Sequence, residues 1–323
     1  MKKRKVYELF MADEGQDHSE AWARLELPAS PYEIRDALEK AQISLDRPVY
    51  LEIQRYFPGA EWMKPFVAPE RDLTALYAFN ALAERLAVMD ELEQHNYEER
   101  VRVEADAEAV PLPRLYDLAA GEGASQRLDL MPVEPDYIIL MECRQDGTEE
   151  AAAVKLPAPK EAIEAWESEA RENAVWRCTD CLIPRLADAL TEAGSLREAL
   201  QTAEMLQAIP QKRLPLYKAL LDAKKATSLR EALDLYSRMD EYGLDPRIRC
   251  VEDAAKWELR FLMDEAEAEK LIPHVNLATY GQVVMRDYHM TLTGYGGLSP
   301  LAGKPAFQEA EESADWHGTD AKL

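Results

Sequence analysis

The chain opens with short runs whose apolar positions read as strands. Val6 to Met11 and Ala21 to Leu27 are two such runs. In the second, Ala21, Ala23, Leu25 and Leu27 alternate with Trp22, Arg24 and Glu26, the period of a strand with one buried face. The polar stretch Asp13-Glu14-Gly15-Gln16-Asp17 between them is turn-forming. Pro28 ends the second strand. Ser30-Pro31 followed by Glu33 then predicts a helix start, because serine caps free backbone N–H groups and proline fits the first turn. That helix runs through Ile34, Ala37, Leu38 and Ala41, and Pro48 to Tyr56 predicts a further strand.

The same order of signals returns. Asp136 to Met141 leads into the turn Asp146-Gly147, then Ala151 to Leu156, then Pro157-Ala158-Pro159-Lys160-Glu161 and another helix. Leu25-Glu26-Leu27-Pro28-Ala29 in the first unit matches Val154-Lys155-Leu156-Pro157-Ala158 in the second. Strand, turn, strand, proline and helix recur in sequence, which a duplicated module explains.

Helical sequence follows each copy. Leu73, Leu76, Tyr77, Asn80, Ala83, Leu86 and Ala87 have the three-and-four spacing of an amphipathic helix, with Asp90 to Arg102 read as its acidic continuation. Pro111 to Ala120 predicts a short helix. Ser195-Leu196-Arg197-Glu198 and Ser228-Leu229-Arg230-Glu231 have the form of capping boxes, with a helix from Leu214 to Ala223 between them. Val251 to Ala268 reads as one helical segment, and Tyr280 to Tyr295 as β-rich and glycine-punctuated. The expected class is therefore α+β with an internal duplication. Its domains would be 1–66 (first α+β copy), 67–135 (helical, acidic), 136–190 (second copy), 191–247 (helical) and 248–305 (C-terminal α+β). Residues 306–323 would form an acidic, disordered tail.

Charge changes the picture most. Of 323 residues, 61 are Asp or Glu and 38 are Lys or Arg, a net charge of −23, while 47% are hydrophobic. The apolar content marks a globular protein, not a disordered acidic tail. The field repels nucleic acid and anionic lipid and attracts basic surfaces, so direct nucleic-acid binding is disfavoured. No export signal is visible at the N-terminus, no apolar run is long enough to span a bilayer, and the chain reads as cytoplasmic.

Candidate chemistry adds little. Four cysteines are too few for a disulfide scaffold, and Cys178-Thr179-Asp180-Cys181 is a lone C-x-x-C. A structural zinc would need Cys143 and Cys250 to join that pair, so a helical pair of thiols is the better reading. His18, His95, His274, His289 and His317 are not paired at ligand spacing. Phosphate-loop, dinucleotide and hydrolase motifs are lacking. Gly294-Tyr295-Gly296-Gly297 reads as a tight β turn. No cofactor and no enzymatic activity are expected.

The second half resembles the ArdA family of antirestriction proteins. The resemblance begins at the strand pair from Tyr137 to Leu156. It continues through Ser195-Leu196-Arg197-Glu198-Ala199-Leu200, Leu216-Tyr217-Lys218-Ala219-Leu220-Leu221 and Ser228-Leu229-Arg230-Glu231-Ala232-Leu233. Near the C-terminus, Asp253-Ala254-Ala255-Lys256-Trp257, Leu277-Ala278-Thr279-Tyr280-Gly281 and Gly294-Tyr295-Gly296-Gly297 are similar to the family's last domain. Coverage is roughly Asp136 to Leu301. The first 130 or so residues look like an extra copy of the leading domains, including Leu82-Ala83-Glu84-Arg85-Leu86, which departs from the family pattern.

The resemblance implies an elongated string of small α+β and helical domains, possible pairing as a homodimer, and mimicry of bent B-form DNA. The implied partner is the DNA-binding groove of a type I restriction-modification enzyme. Alternatives are another host defence nuclease, such as an RNA-guided one, a DNA-binding regulator, or an acidic adaptor's basic protein partner. At about one charge per 1.7 Å of duplex axis, a charge of this size matches roughly 40 Å of DNA. The carboxylates expected to meet the partner are Asp90, Glu91, Glu93, Glu98 and Glu99, then Asp240 and Glu241, then Asp264, Glu265, Glu267 and Glu269. Residues three or four apart on a helix share a face.

Overall fold

A computed structural model describes residues 4–14, 21–43, 48–105, 109–144, 152–169 and 175–301. Residues Gly15 to Asp17 of the expected first turn, the Asp146-Gly147 turn, His18, His317 and the segment from 306 onward lie outside the described residues. The fold is α+β, and the chain divides into two compact units. Unit 1 is Met1–Met141 with Thr179–Pro184; unit 2 is Glu142–Cys178 with Arg185–Leu323.

In unit 1, β1 (Tyr7–Asp13) lies between β2 (Trp22–Leu27) and β3 (Val49–Tyr56). Both pairings are antiparallel, with Leu9 opposite Leu25 on one side and Ile53 on the other. β2 alternates as its sequence requires: Ala23, Leu25 and Leu27 are buried, and Trp22, Arg24 and Glu26 are exposed. Helix α1 (Pro31–Lys40) starts at Ser30, whose Oγ accepts from the Glu33 N–H while Glu33 reaches back to the Ser30 N–H. This reciprocal cap is worth roughly 1 kcal/mol.

Helix α2 (Leu73–Ala87) buries Leu76, Phe79, Leu82, Ala83 and Leu86 in the same core. Its Asn80 amide bonds both the N–H and the carbonyl of Ala29, fixing the loop between β2 and α1. The acidic stretch after α2 is not a continuation of it. A separate helix, α3 (Glu91–Glu104), begins at the Asp90 cap, because Asp90 holds an extended backbone and accepts from the Glu93 N–H. α3 buries only Tyr97 and Val101, and α4 (Leu112–Ala120) follows with Leu115 and Leu118 inside.

The second module repeats the topology of the first. β4 (Ile139–Arg144) is central, β5 (Ala152–Leu156) lies on one edge, and β6 (Val175–Cys181) lies on the other after helix α5 (Lys160–Glu169). The peptide bonds Leu27-Pro28 and Leu156-Pro157, at matching places in the two modules, are both cis.

Unit 2 continues with α6 (Ala187–Ala193), α7 (Leu196–Ala208), α8 (Leu214–Ala223) and α9 (Leu229–Ser237). Ser195 and Ser228 both cap as their sequences predict, though the return bond from glutamate forms only at Ser228. The last sheet has the order β7-β9-β8, from Tyr242–Asp245, Gly296–Pro300 and Thr291–Thr293.

Two expectations fail here. Val251 to Ala268 is broken into α10 (Val251–Leu262) and α11 (Glu265–Leu271), because Asp264 caps a new helix. Tyr280 to Tyr295 is not mainly β: α12 (Leu277–Asp287) occupies its first half, capped by Asn276. Apolar Tyr280, Val284 and Tyr288 follow the helical spacing, which the dense β-branched and aromatic composition obscured. The register of α12 against α10 depends on Gly281, where a Cβ would sit 1.9 Å from the Val251 carbonyl oxygen. Gly296 is equally constrained, with φ +137° and a Cβ position 2.3 Å from the Asp245 carbonyl. The glycine run is therefore a place of close backbone approach within a sheet as well as a turn.

Candidate acidic partner-binding surface

The expected carboxylates fall into three physical states. Asp90 and Asp264 are helix caps, accepting from the N–H of Glu93 and Glu267. Glu93 completes the first cap by accepting from the Asp90 N–H, and it also takes a bond from Arg85 at 3.3 Å. A negative group at a helix start satisfies backbone donors that would otherwise point at solvent. These three therefore serve the fold first.

A second set is held by cations. Glu98 accepts from Nε and Nη2 of Arg102, one helical turn on, at 2.9 and 2.6 Å. Glu99 lies 3.6 Å from His95. Asp240 meets Arg213 at 2.5 Å, Glu241 meets Arg238 at 2.9 Å, and Glu269 meets Arg260 at 2.6 Å. Asp240 keeps 74% of its side chain exposed and Glu241 only 17%, so the two neighbours are unequal as contact groups. Exposed pairs of this kind add at most about 1 kcal/mol each, but they fix the carboxylates in position.

Glu91, Glu265 and Glu267 make up the third set. Their side chains are exposed and make no hydrogen bond or ion pair among the described residues. Each sits in the first turn of its helix, α3 or α11. Unit 1 thus brings Asp90, Glu91, Glu93, Glu98 and Glu99 onto one helix and its cap. In unit 2, Asp264, Glu265, Glu267 and Glu269 share α11 and its cap, while Asp240 and Glu241 belong to a separate turn before β7.

Large apolar side chains stand exposed beside both groups. Val88 and Leu92 flank Asp90, and Phe261 and Leu262 precede Asp264.

The C-x-x-C segment is a strand, not a helix. Cys178 and Cys181 lie on β6 three residues apart, which places them on opposite faces because side chains alternate along a strand. Among the described residues no group of three His, Cys, Asp or Glu side chains could hold a metal ion. The residue of that motif with most to do is Asp180. It is buried and accepts from Ser30 Oγ at 2.6 Å, the Tyr137 hydroxyl at 2.8 Å and the Cys181 N–H at 2.9 Å. Burial pushes its carboxyl up, with these donors opposing. Unit 2 holds a counterpart in Glu258 of α10, which among the described residues accepts only from the Tyr288 hydroxyl, at 3.2 Å, and leaves its buried Oε2 without a partner. Burial pushes this carboxyl up as well. Sequence reasoning missed both groups, since nothing at either position marks it as inward-facing except the helical and strand periods around it.

No helix among the described residues is long and apolar enough to cross a membrane. Comparison with protein-family models, with curated proteins and with solved structures finds no match.

Proposed function

We propose that this chain is a non-enzymatic, cytoplasmic DNA mimic that occupies the DNA-binding groove of a type I restriction-modification enzyme. The observation that carries the reading is a pair of helix starts bearing exposed, uncommitted carboxylates in a chain of net charge −23: Glu91 in unit 1, and Glu265 and Glu267 in unit 2. Arginine-held Glu98, Asp240 and Glu269 add negative groups whose positions are fixed in advance, as phosphates are on a duplex. Fixed charge lowers the entropy lost on docking. A groove lined by Lys and Arg would gain most from the uncommitted acids, because binding them requires no existing ion pair to be broken.

The test is displacement of duplex DNA from a type I restriction enzyme. Displacement should weaken steeply as salt is raised, since charge-dominated contacts are screened. The triple variant Glu91→Lys, Glu265→Lys and Glu267→Lys should lose about tenfold or more in apparent affinity at low salt. Asp90, Glu93 and Asp264 are left intact in this variant because their caps hold α3 and α11. Saturating protein that leaves the duplex bound would reject the target.

A second reading is favoured by Val88, Leu92, Phe261 and Leu262, which are each at least 60% exposed. An acidic adaptor binding a basic protein would use such side chains for salt-resistant contact. Affinity for a partner that survives high salt and falls on Leu92→Ser would support the adaptor over the mimic.

A further inference from the structure

Unit 2 contains a cleft beside the acidic surface, whose Arg260 also holds Glu269. It has a volume of about 270 Å³ on one face of α10, lined by Arg247, Asp253, Lys256, Trp257, Arg260 and Phe261. The α10 members recur at three-and-four spacing, so they project from one side of the helix. Its lining carries three cations and one acid, and Arg247 and Arg260 are further paired with Asp245 and Glu269 at the edge of the cleft.

The aromatic half is organised. The Trp257 and Phe261 rings lie 6.0 Å apart and 10° from parallel. Trp257 is braced edge-on by Tyr288 at 5.2 Å. Phe261 beyond it is 72% exposed, leaving ring surface uncovered. The cationic half keeps donors in reserve. Arg247 spends Nε and Nη2 on Asp245, and Arg260 spends the same two atoms on Glu269. Neither Nη1 has a partner among the described residues. Lys256 Nζ has a single loose contact, with Asp253 at 3.5 Å.

We propose that this cleft binds a nucleoside monophosphate. The base stacks on the free face of Phe261, continuing the Trp257–Phe261 stack. The phosphate takes the unspent donors of Arg247, Lys256 and Arg260. Guanidinium groups suit phosphate because their N–H donors match its oxygens in pairs. At about 270 Å³ the cleft lies just below the usual range for ligand sites, which suits one nucleotide better than a longer oligomer.

Equilibrium dialysis of the full chain tests the site, with GMP and AMP as probes and guanosine and ribose 5-phosphate as their halves. A nucleotide should be retained, with each half bound at least tenfold more weakly. Phe261→Ala should weaken nucleotide binding about tenfold, the scale of one lost base stack. Arg247→Gln combined with Arg260→Gln should weaken it at least as much. These side chains are exposed, so circular dichroism should show an unchanged fold. Three results would overturn the site: no retention of either nucleotide at about 1 mM, retention that both variants leave unaltered, or tighter binding of an acidic tryptophan-containing peptide than of GMP.

Discussion

Unit 1 buries Asp180, along with Asp13 and Asp36, and unit 2 buries Glu258; Asp180 and Glu258 are equipped in opposite ways. Asp180 in unit 1 gathers donors from three elements: the cap of α1 through Ser30, the approach to β4 through Tyr137, and its own strand through Cys181. Among the described residues, Glu258 in unit 2 has one hydroxyl donor, from Tyr288, and a bare Oε2. Burial of a charge costs several kcal/mol unless donors replace water. Asp180 is therefore a fastener whose removal strands its donors, whereas Glu258 is a liability that its helix pair tolerates.

The largest effect should come from Asp180→Ala. It strands the Ser30 and Tyr137 hydroxyls and should cost about 3 kcal/mol in urea unfolding. A loss below about 1 kcal/mol would break the contrast. Tyr288→Phe removes the single donor to Glu258 and should cost about 1–2 kcal/mol at neutral pH. Tyr137→Phe removes one of several donors to Asp180 and should cost less, about 1 kcal/mol. Equal losses from the two tyrosines would mean that the number of remaining donors does not matter.

Glu258→Gln should have the opposite sign. It keeps an acceptor for Tyr288, removes the buried charge, and should stabilise the chain by about 1 kcal/mol at pH 7. The pH dependence sharpens this. A carboxyl raised in the folded state contributes stability that is complete below its unfolded pKa and is lost as pH rises through the folded value. Mild acidification from neutral pH should therefore stabilise the protein through Glu258 and Asp180, and Glu258→Gln should flatten that gain. Below the ordinary carboxyl range the trend reverses. Asp245, held low by Arg247, and Glu231, held low by the Thr227 and Ser228 backbone, lose their contribution as they protonate. A thermal melting series from pH 7 to pH 3, run on wild type and Glu258→Gln, separates the two regimes. The smallest effect belongs to the exposed pair Glu98–Arg102: Arg102→Ala should change stability by only a few tenths of a kcal/mol.

Much of the local structure was legible because it rests on short-range rules. The cap at Ser30, the helix from Leu214 to Ala223, and the alternation of Ala23, Leu25 and Leu27 all follow from neighbours within four residues. The repeat was legible for the same reason, since the order of strands, proline and helix survives low identity. Failures came where a single polar residue started a new helix. By sequence Asp90 and Asp264 belong to acidic faces, whereas in the fold each is the cap that divides two helices. The C-x-x-C drew attention to its thiols, while the strand period turned Asp180 inward.

The eleven carboxylates were identifiable as a set from sequence, but their division into caps, arginine-held acids and uncommitted acids was not. Pairs one turn apart, such as Glu98 with Arg102, obey helical spacing. Arg213 with Asp240 and Arg260 with Glu269 join residues from different elements. Sequence by itself determined the charge and most of the elements, though not the helix starts at Asp90 and Asp264 or helix α12, because backbone preference and side-chain period act over a few residues. Tertiary structure alone decided which acids remain available and which are buried, and it placed Arg247 beside the Trp257–Phe261 stack. Those outcomes depend on how separate elements pack, and no local pattern encodes the distance between residues that folding brings together.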